Sequence, residues 1–169
     1  LGRDIFSRVL FGARVSLYVG LLGVLLGTTT GAVLGLVSAY FGRRTDLVIQ
    51  RFIDSLSAFP ALLLAAAIIA ALGQSLNNVI IAISVVWVPR ATRTIRSQAL
   101  SANATTYVEA ARAIGAGSWR IMLRHILPNC MAAYIVIATA SLGGVIVTEA
   151  SLSFLGVGTP SHIISWGSM

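Results

Sequence analysis

The sequence predicts an all-α, polytopic membrane protein, and three observations carry that prediction. Hydrophobic residues make up 57% of the chain and charged residues only 10%. Uncharged runs exceed the roughly 20 residues that a helix needs to cross a bilayer. The basic residues are twelve arginines, with no lysine, and they gather where the apolar runs end. A net charge of +7 is the naive mark of a nucleic-acid binder. Arginines confined to span ends are better explained by orientation and headgroup contact, so no nucleic-acid partner is expected. The single cysteine, Cys130, cannot form an internal disulfide and reads as a packing residue.

Taken in order, residues 1–14 interleave Arg3, Asp4, Arg8 and Arg14 with Ile5, Phe6, Val9 and Leu10, the pattern of a short interfacial helix. A first span is expected over 15–42. It carries Gly23, Gly27, Gly31 and Gly35 at every fourth position, which on a helix form a groove that a second helix can approach closely. Arg43, Arg44, Asp46, Arg51 and Asp54 make the next polar stretch. The uncharged run from Ser55 to Pro89 is too long for one span and long enough for two, and Gly73 to Asn78 breaks it as a turn. A second span is therefore expected over 55–72, with Pro60 near its start, and a third over 78–100. Arg90, Arg93 and Arg96 recur every third residue and lie along one side of that helix as it leaves the membrane. The fourth span is expected over 129–150.

Nine of the twelve arginines, Arg43 through Arg124, fall on one side of this arrangement, with Arg3, Arg8 and Arg14 opposite. The positive-inside rule then places loop 104–128 in the cytoplasm, and the turn at 73–78 and the C-terminal end outside.

Loop 104–128 is an amphipathic island between apolar runs. Thr105 or Thr106 can cap a first short helix, with Glu109 near its positive end. Tyr107, Ala110, Ala111 and Ile114 fall at helical spacing on one side. Gly115 and Gly117 break the run, since glycine takes left-handed backbone angles without penalty. Ser118 can cap a second helix whose apolar residues are Trp119, Met122, Leu123 and Ile126. Pro128 ends it and starts the next span. On pattern alone two readings stand: a loop lying on the headgroups, or a surface read by a partner outside the membrane.

The missing signatures narrow the function classes. No Gly-x4-Gly-Lys-Ser/Thr loop is present to cradle nucleotide phosphates. No Gly-x-Ser-x-Gly or His-Glu-x-x-His offers a hydrolytic nucleophile or a zinc site. His125 and His162 have no nearby carboxylate or cysteine pattern and read as interfacial residues rather than metal ligands. A proton-coupled carrier needs an ionisable group inside a span. Only Asp54 and Glu149 come close, both near span ends; Glu149 is the more interesting of the two, with a water-facing outer-boundary position as its plainer reading.

Glu109-Ala110-Ala111, then Gly115, then Ile126-Leu127-Pro128 resemble the EAA signature of ABC-importer permease subunits. His125 departs from it, standing where the general pattern has isoleucine. Arg124 to Asn129 is similar to the dipeptide, oligopeptide and nickel branch of that family. So are residues 2–8 and 12–17, Ala58-Phe59-Pro60, and Glu149 to Gly156. The resemblance covers essentially the whole chain and implies the type I ABC importer transmembrane domain fold. It implies a non-catalytic permease subunit in a bacterial cytoplasmic membrane, working by alternating access. Its partners would be a second permease subunit, two cytoplasmic ATP-binding domains, an extracytoplasmic solute-binding protein and membrane lipid. No cofactor is expected in this chain, since ATP and Mg would sit on the ATPase subunits. Glu109, Ala110, Ala111, Gly115, Ile126, Leu127 and Pro128 would couple it to those subunits. The implied cargo is a di- or oligopeptide, with nickel or another small solute as the alternative. A proton-coupled secondary transporter is the rival class. Members of the branch usually have six spans, so residues 1–169 are expected to hold the central four.

Overall fold

The computed structural model describes residues 5–160, 163 and 165–169; Arg3, Asp4 and His162 lie outside them. Seven α-helices are described: α1 (Ile5–Phe41), α2 (Arg43–Ser57), α3 (Ala61–Leu72), α4 (Leu76–Asn103), α5 (Thr106–Ala113), α6 (Ser118–Ile121) and α7 (Leu127–Phe154). A π-helical segment, Met122–Ile126, joins α6 to α7. Among the described residues, two helical segments are long and apolar enough to cross a membrane, Ile5–Phe41 and Ser118–Phe154. Helices α2 and α3 pass the same test only as one segment, bent by 91°.

Helix α1 begins earlier than expected. The short interfacial helix read into residues 1–14 is not a separate element from Ile5 on, because nothing there stops a helix. No proline intervenes, and Gly12 is packed rather than free: a Cβ on it would lie 3.2 Å from Met169 Cε and 3.3 Å from Trp166. The resulting 37-residue helix is about 56 Å long at 1.5 Å per residue, well beyond a bilayer's hydrocarbon thickness.

Helices α1 and α4 run parallel, with their backbones in contact along the glycine stripe. A Cβ on Gly23 would meet Ile83 at 3.3 Å, and one on Gly27 the Ser84 carbonyl oxygen at 2.7 Å. On Gly31 it would lie 2.7 Å from the Val88 carbonyl oxygen, and on Gly35 2.6 Å from that of Thr92. Three of these obstacles are backbone, which cannot rotate away as a side chain can. Ser84 adds a hydrogen bond from its hydroxyl to the Gly23 carbonyl at 3.3 Å. Helix α7 runs antiparallel to α1 and packs on its other side, with Ile146 and Leu142 against Gly20 and Val145 against Gly23.

The expected second span differs from what forms. Ser55 to Ser57 belong to α2, and the chain turns at residues 58–60 before α3 starts at Ala61. Proline explains the break, because its ring disfavours helical angles at the preceding residue, Phe59. Helix α3 has 12 apolar residues, about 18 Å of helix. Helix α2 instead carries its charges to α4. Arg96 makes a two-pronged ion pair with Asp46, both contacts at 2.6 Å, and Arg93 pairs with Asp54 at 3.0 Å. Ser38 of α1 also donates to Asp46. The bonded Arg96 guanidinium holds the Asp46 carboxyl below its ordinary value. The stabilisation this pair gives is therefore present above that ordinary value, and is lost only as pH falls through the lowered one. At the α3–α4 turn, Ser75 caps α4 by accepting from the Asn78 amide at 3.2 Å, while the Asn78 side chain donates to Leu72 and Gly73.

The stripe makes a sharp prediction. Gly31→Leu forces a branched side chain into the α4 backbone and should destabilise the protein by about 1–3 kcal/mol or more. Leu25→Ala, on an exposed face of α1, should be mild. Thermal unfolding of the purified protein in detergent separates the two, and equal midpoints would show that the close approach contributes nothing.

Candidate functional site

Loop 104–128 folds into a cap over the ends of α1, α4 and α7. Val108 and Ala111 of α5 and Ile121, Met122 and Ile126 beyond it are buried with Leu36, Ala39, Ile95 and Ala99. The buried face of α5 is thus Val108 and Ala111. Tyr107 is half exposed, Ala110 is exposed, and Ile114 is 86% exposed. The expected apolar face of Tyr107, Ala110, Ala111 and Ile114 is corrected on this point. An eight-residue helix seated by two small side chains leaves the residue after its last turn projecting outward.

Each boundary of the cap has a local cause. Thr105 occupies the N-cap of α5, but its hydroxyl donates back to the Ala102 carbonyl at 2.6 Å rather than capping the helix. Gly115 ends α5 with φ +80°. The Gly115 amide bonds the Arg112 carbonyl and the Ala116 amide bonds the Ala111 carbonyl, each at 3.0 Å. This is the paired pattern of a Schellman turn, which glycine serves best. A Cβ at Gly115 meets nothing within 4 Å, so a side chain there would cost only conformational strain. The N-cap of α6 is Gly117, not Ser118, and no side chain caps it.

Pro128 does not end a helix. The chain stays helical from Ser118 to Phe154, widening to π geometry over Met122–Ile126 just before the proline. Proline lacks an N–H and crowds the carbonyl four residues back, and a wide turn relieves both. Asn129 then satisfies the His125 carbonyl at 2.7 Å and donates to the Tyr107 hydroxyl at 2.8 Å, tying α5 to the start of α7. Ile126 is buried, Leu127 half-buried and Pro128 exposed.

Glu109 and Ala110 stand on the open side of α5. Glu109 makes no side-chain hydrogen bond or ion pair among the described residues. Arg112 beside it bonds Asn103 and lies over the Tyr40 ring at 5.9 Å. The exposed side of α5 therefore offers a carboxylate without an ion-pair partner among the described residues, with apolar Ile114 exposed at the helix end. That is a surface able to accept charge-assisted hydrogen bonds while burying apolar area.

The opposite end of the bundle holds a group that sequence reasoning misplaced. Glu149 is not at a water-facing boundary: it is fully buried. Ser16 donates to it at 3.2 Å and Ser153 at 2.9 Å. The chain after α7 folds back over it, with the Trp166 amide donating to Ser16 at 3.1 Å and Thr159 beside Ser153 at 3.1 Å. The one signal available was the four-residue spacing of Glu149 and Ser153 on an otherwise uncharged helix.

Helix order and the capped loop define a class, the type I ABC importer transmembrane domain. The inward-facing MetNI methionine ABC transporter superposes with a TM-score of 0.80 at 18% identity, over 94% of this chain and 79% of that one. The description of a family, "Binding-protein-dependent transport system inner membrane component", matches residues 31–169. A transport-system permease protein of Brucella suis is 49% identical over 168 residues, covering 99% of this chain and 56% of that one. The glutathione transport system permease protein of Pectobacterium atrosepticum is 43% identical over 169 residues, 100% of this chain and 56% of that one. The dipeptide transport system permease protein of Alkalihalophilus pseudofirmus is 45% identical over 168 residues, 99% and 55%. The chain belongs to the binding-protein-dependent transport system inner membrane component family, and it spans a little over half the length of these curated relatives.

The seating of α5 is testable. Val108→Ala should destabilise by about 2 kcal/mol and raise hydrogen exchange across residues 106–114, whereas Ile114→Ala should leave both unchanged. The reverse result would restore the face centred on Ile114.

Proposed function

We propose that this chain is the permease subunit of an ATP-driven importer that moves short peptides across a bacterial cytoplasmic membrane by alternating access. The observation that carries the proposal is the exposed Glu109, unpaired among the described residues, on a helix tied to α1, α4 and α7. A docking element must keep its contact groups free and its footing firm, and α5 does both. In this reading Glu109 and Ala110 present the surface to a cytoplasmic ATPase, Ala111 seats the helix from its buried side, Gly115 sets the turn that follows, and Ile126, Leu127 and Pro128 join it to the long helix behind. ATP and Mg are held by two ATPase domains, a second permease subunit completes the pathway, and a solute-binding protein delivers cargo from outside. Peptide cargo is supported by the relatives named for glutathione, itself a tripeptide, and for dipeptide transport.

Coupling is tested by reconstituting the complete complex with Glu109→Lys or Gly115→Asp and measuring ATP hydrolysis with and without loaded binding protein. Glu109→Lys reverses the charge of the docking edge. Gly115→Asp strains the turn by about 1 kcal/mol and adds a charge at the rim. Both should insert normally yet lose peptide uptake and the stimulation of ATP hydrolysis by the binding protein. Wild-type coupling in both would reduce the loop to a surface helix on the headgroups.

The arginine distribution supports a cytoplasmic side for the loop, with the α3–α4 turn opposite. With Cys130 replaced, single cysteines at Ser118 and Gln74 should label from opposite sides, Ser118 only with cytoplasmic access. Labelling of both from one side would sink the arrangement.

A further inference from the structure

Between the bend at residues 58–60 and α4 lies a cleft of about 420 Å³, walled by Phe59, Leu64, Val86, Pro89, Arg90 and Arg93. Three arginines lie along this half of α4, and two are neutralised from within the chain. Arg93 is held by Asp54 at 3.0 Å and Ser57 at 3.1 Å, and Arg96 by Asp46. Arg90 is exposed and has no carboxylate partner among the described residues. Its guanidinium instead lies 5.6 Å from the centre of the Trp87 ring. That ring is itself fixed: a Cβ on Gly144 of α7 would lie 2.7 Å from it, and one on Gly27 of α1 3.2 Å from the Trp87 Cβ.

The height of Arg90 matters as much as its isolation. Its neighbours Val88 and Ala91 lie against Gly31 of α1, ten residues before Phe41 at the end of that helix. Ten residues are about 15 Å of helix, so Arg90 sits well inside the apolar length of α1. A cation at such a depth is costly unless it pairs or faces a water-filled cavity, and one that lines a cavity marks a solute or ion path. The cleft supplies the cavity, and the ring holds the cation ready without neutralising its charge. We infer that Arg90 receives a carboxylate of the transported solute in this cleft, such as the C-terminal carboxylate of a short peptide. The inference rests on the permease reading above.

The test uses the complete reconstituted complex with Cys130→Ala and Leu64→Cys, a thiol on the cleft wall. An anionic sulfonate methanethiosulfonate should react about tenfold faster than its cationic trimethylammonium counterpart, because a charged cleft concentrates opposite charge. Arg90→Gln should bring the two rates together, and Arg90→Lys should keep the preference. Trialanine should slow labelling when Arg90 is present but not in Arg90→Gln, and trialanine amide, which lacks the carboxylate, should protect in neither. Absence of charge preference, a preference that survives Arg90→Gln, equal protection by the amide, or a thiol that reacts with neither reagent would each overturn the inference. Failure of the peptide-permease reading shows separately, as a parent complex that takes up no peptide yet keeps an Arg90-dependent anion preference.

Discussion

Backbone contact between α1 and α4 is the constraint on which the other features of this bundle depend. Lipid chains are as apolar as leucine, so helices in a membrane gain little from burying apolar surface and associate through close packing and polar contacts. The α1 glycines bring one backbone against the carbonyl oxygens of Ser84, Val88 and Thr92. No larger residue would allow that approach. Because the two helices are parallel, the chain between them must return along the bundle, and α2 and α3 provide that return. The register that places Gly31 between Val88 and Ala91 also sets Arg96 beside Asp46, so the ion pairs that seat α2 depend on the same stripe.

The loop platform inherits its rigidity from this arrangement. Helix α5 shares one buried cluster with Leu36 and Ala39 of α1 and Ile95 and Ala99 of α4, the continuation of the two surfaces that the glycines bring together. Asn129 and Tyr107 then lock the platform to the first turn of α7. The helical path from Ser118 to Phe154 has no break, only a π segment. A push on the exposed edge of α5 and α6 is therefore passed into a helix that crosses the whole bundle, rather than being absorbed by a hinge.

Sequence reading was strongest where a pattern repeats and weakest where a neighbour decides. Four glycines in register are legible because their spacing alone makes a groove. Gly115 is legible because a glycine after a short amphipathic run has few other uses. The rotation of α5 was not legible: Ala110 and Ala111 are equivalent in sequence, and only the pocket formed by α1, α4 and α7 selects Ala111 for burial. Pro128 misled for a related reason. A proline ends a helix when its neighbours can leave helical geometry, whereas here Met122 and Ile126 before it and Cys130 after it are buried, and widening by one π segment is the smaller disturbance. The bend at Pro60 shows the converse, with Phe59 exposed and free to turn. The burial of Glu149 depends on a segment beyond α7 folding back across it, which no local pattern encodes.

Glu149 and Arg90 sit on opposite terms with their surroundings, and the contrast bears on mechanism. Glu149 is enclosed, and hydroxyls of Ser16 and Ser153 serve it from α1 and from its own helix. A buried carboxyl bound to neutral donors, under a segment that closes over it, holds three parts of the chain together. An intramembrane acid is the feature a proton-coupled carrier requires, but a relay also needs a route to water, and Glu149 is wholly buried. Arg90 is the reverse: exposed to a cleft, braced by an aromatic ring and without a counter-charge among the described residues. A group fully satisfied by its own chain fixes a structure, and a group left unsatisfied is open to a ligand. By that criterion the Glu149 end of α7 serves architecture, and the cleft beside α4 is the place we propose for a solute carboxylate.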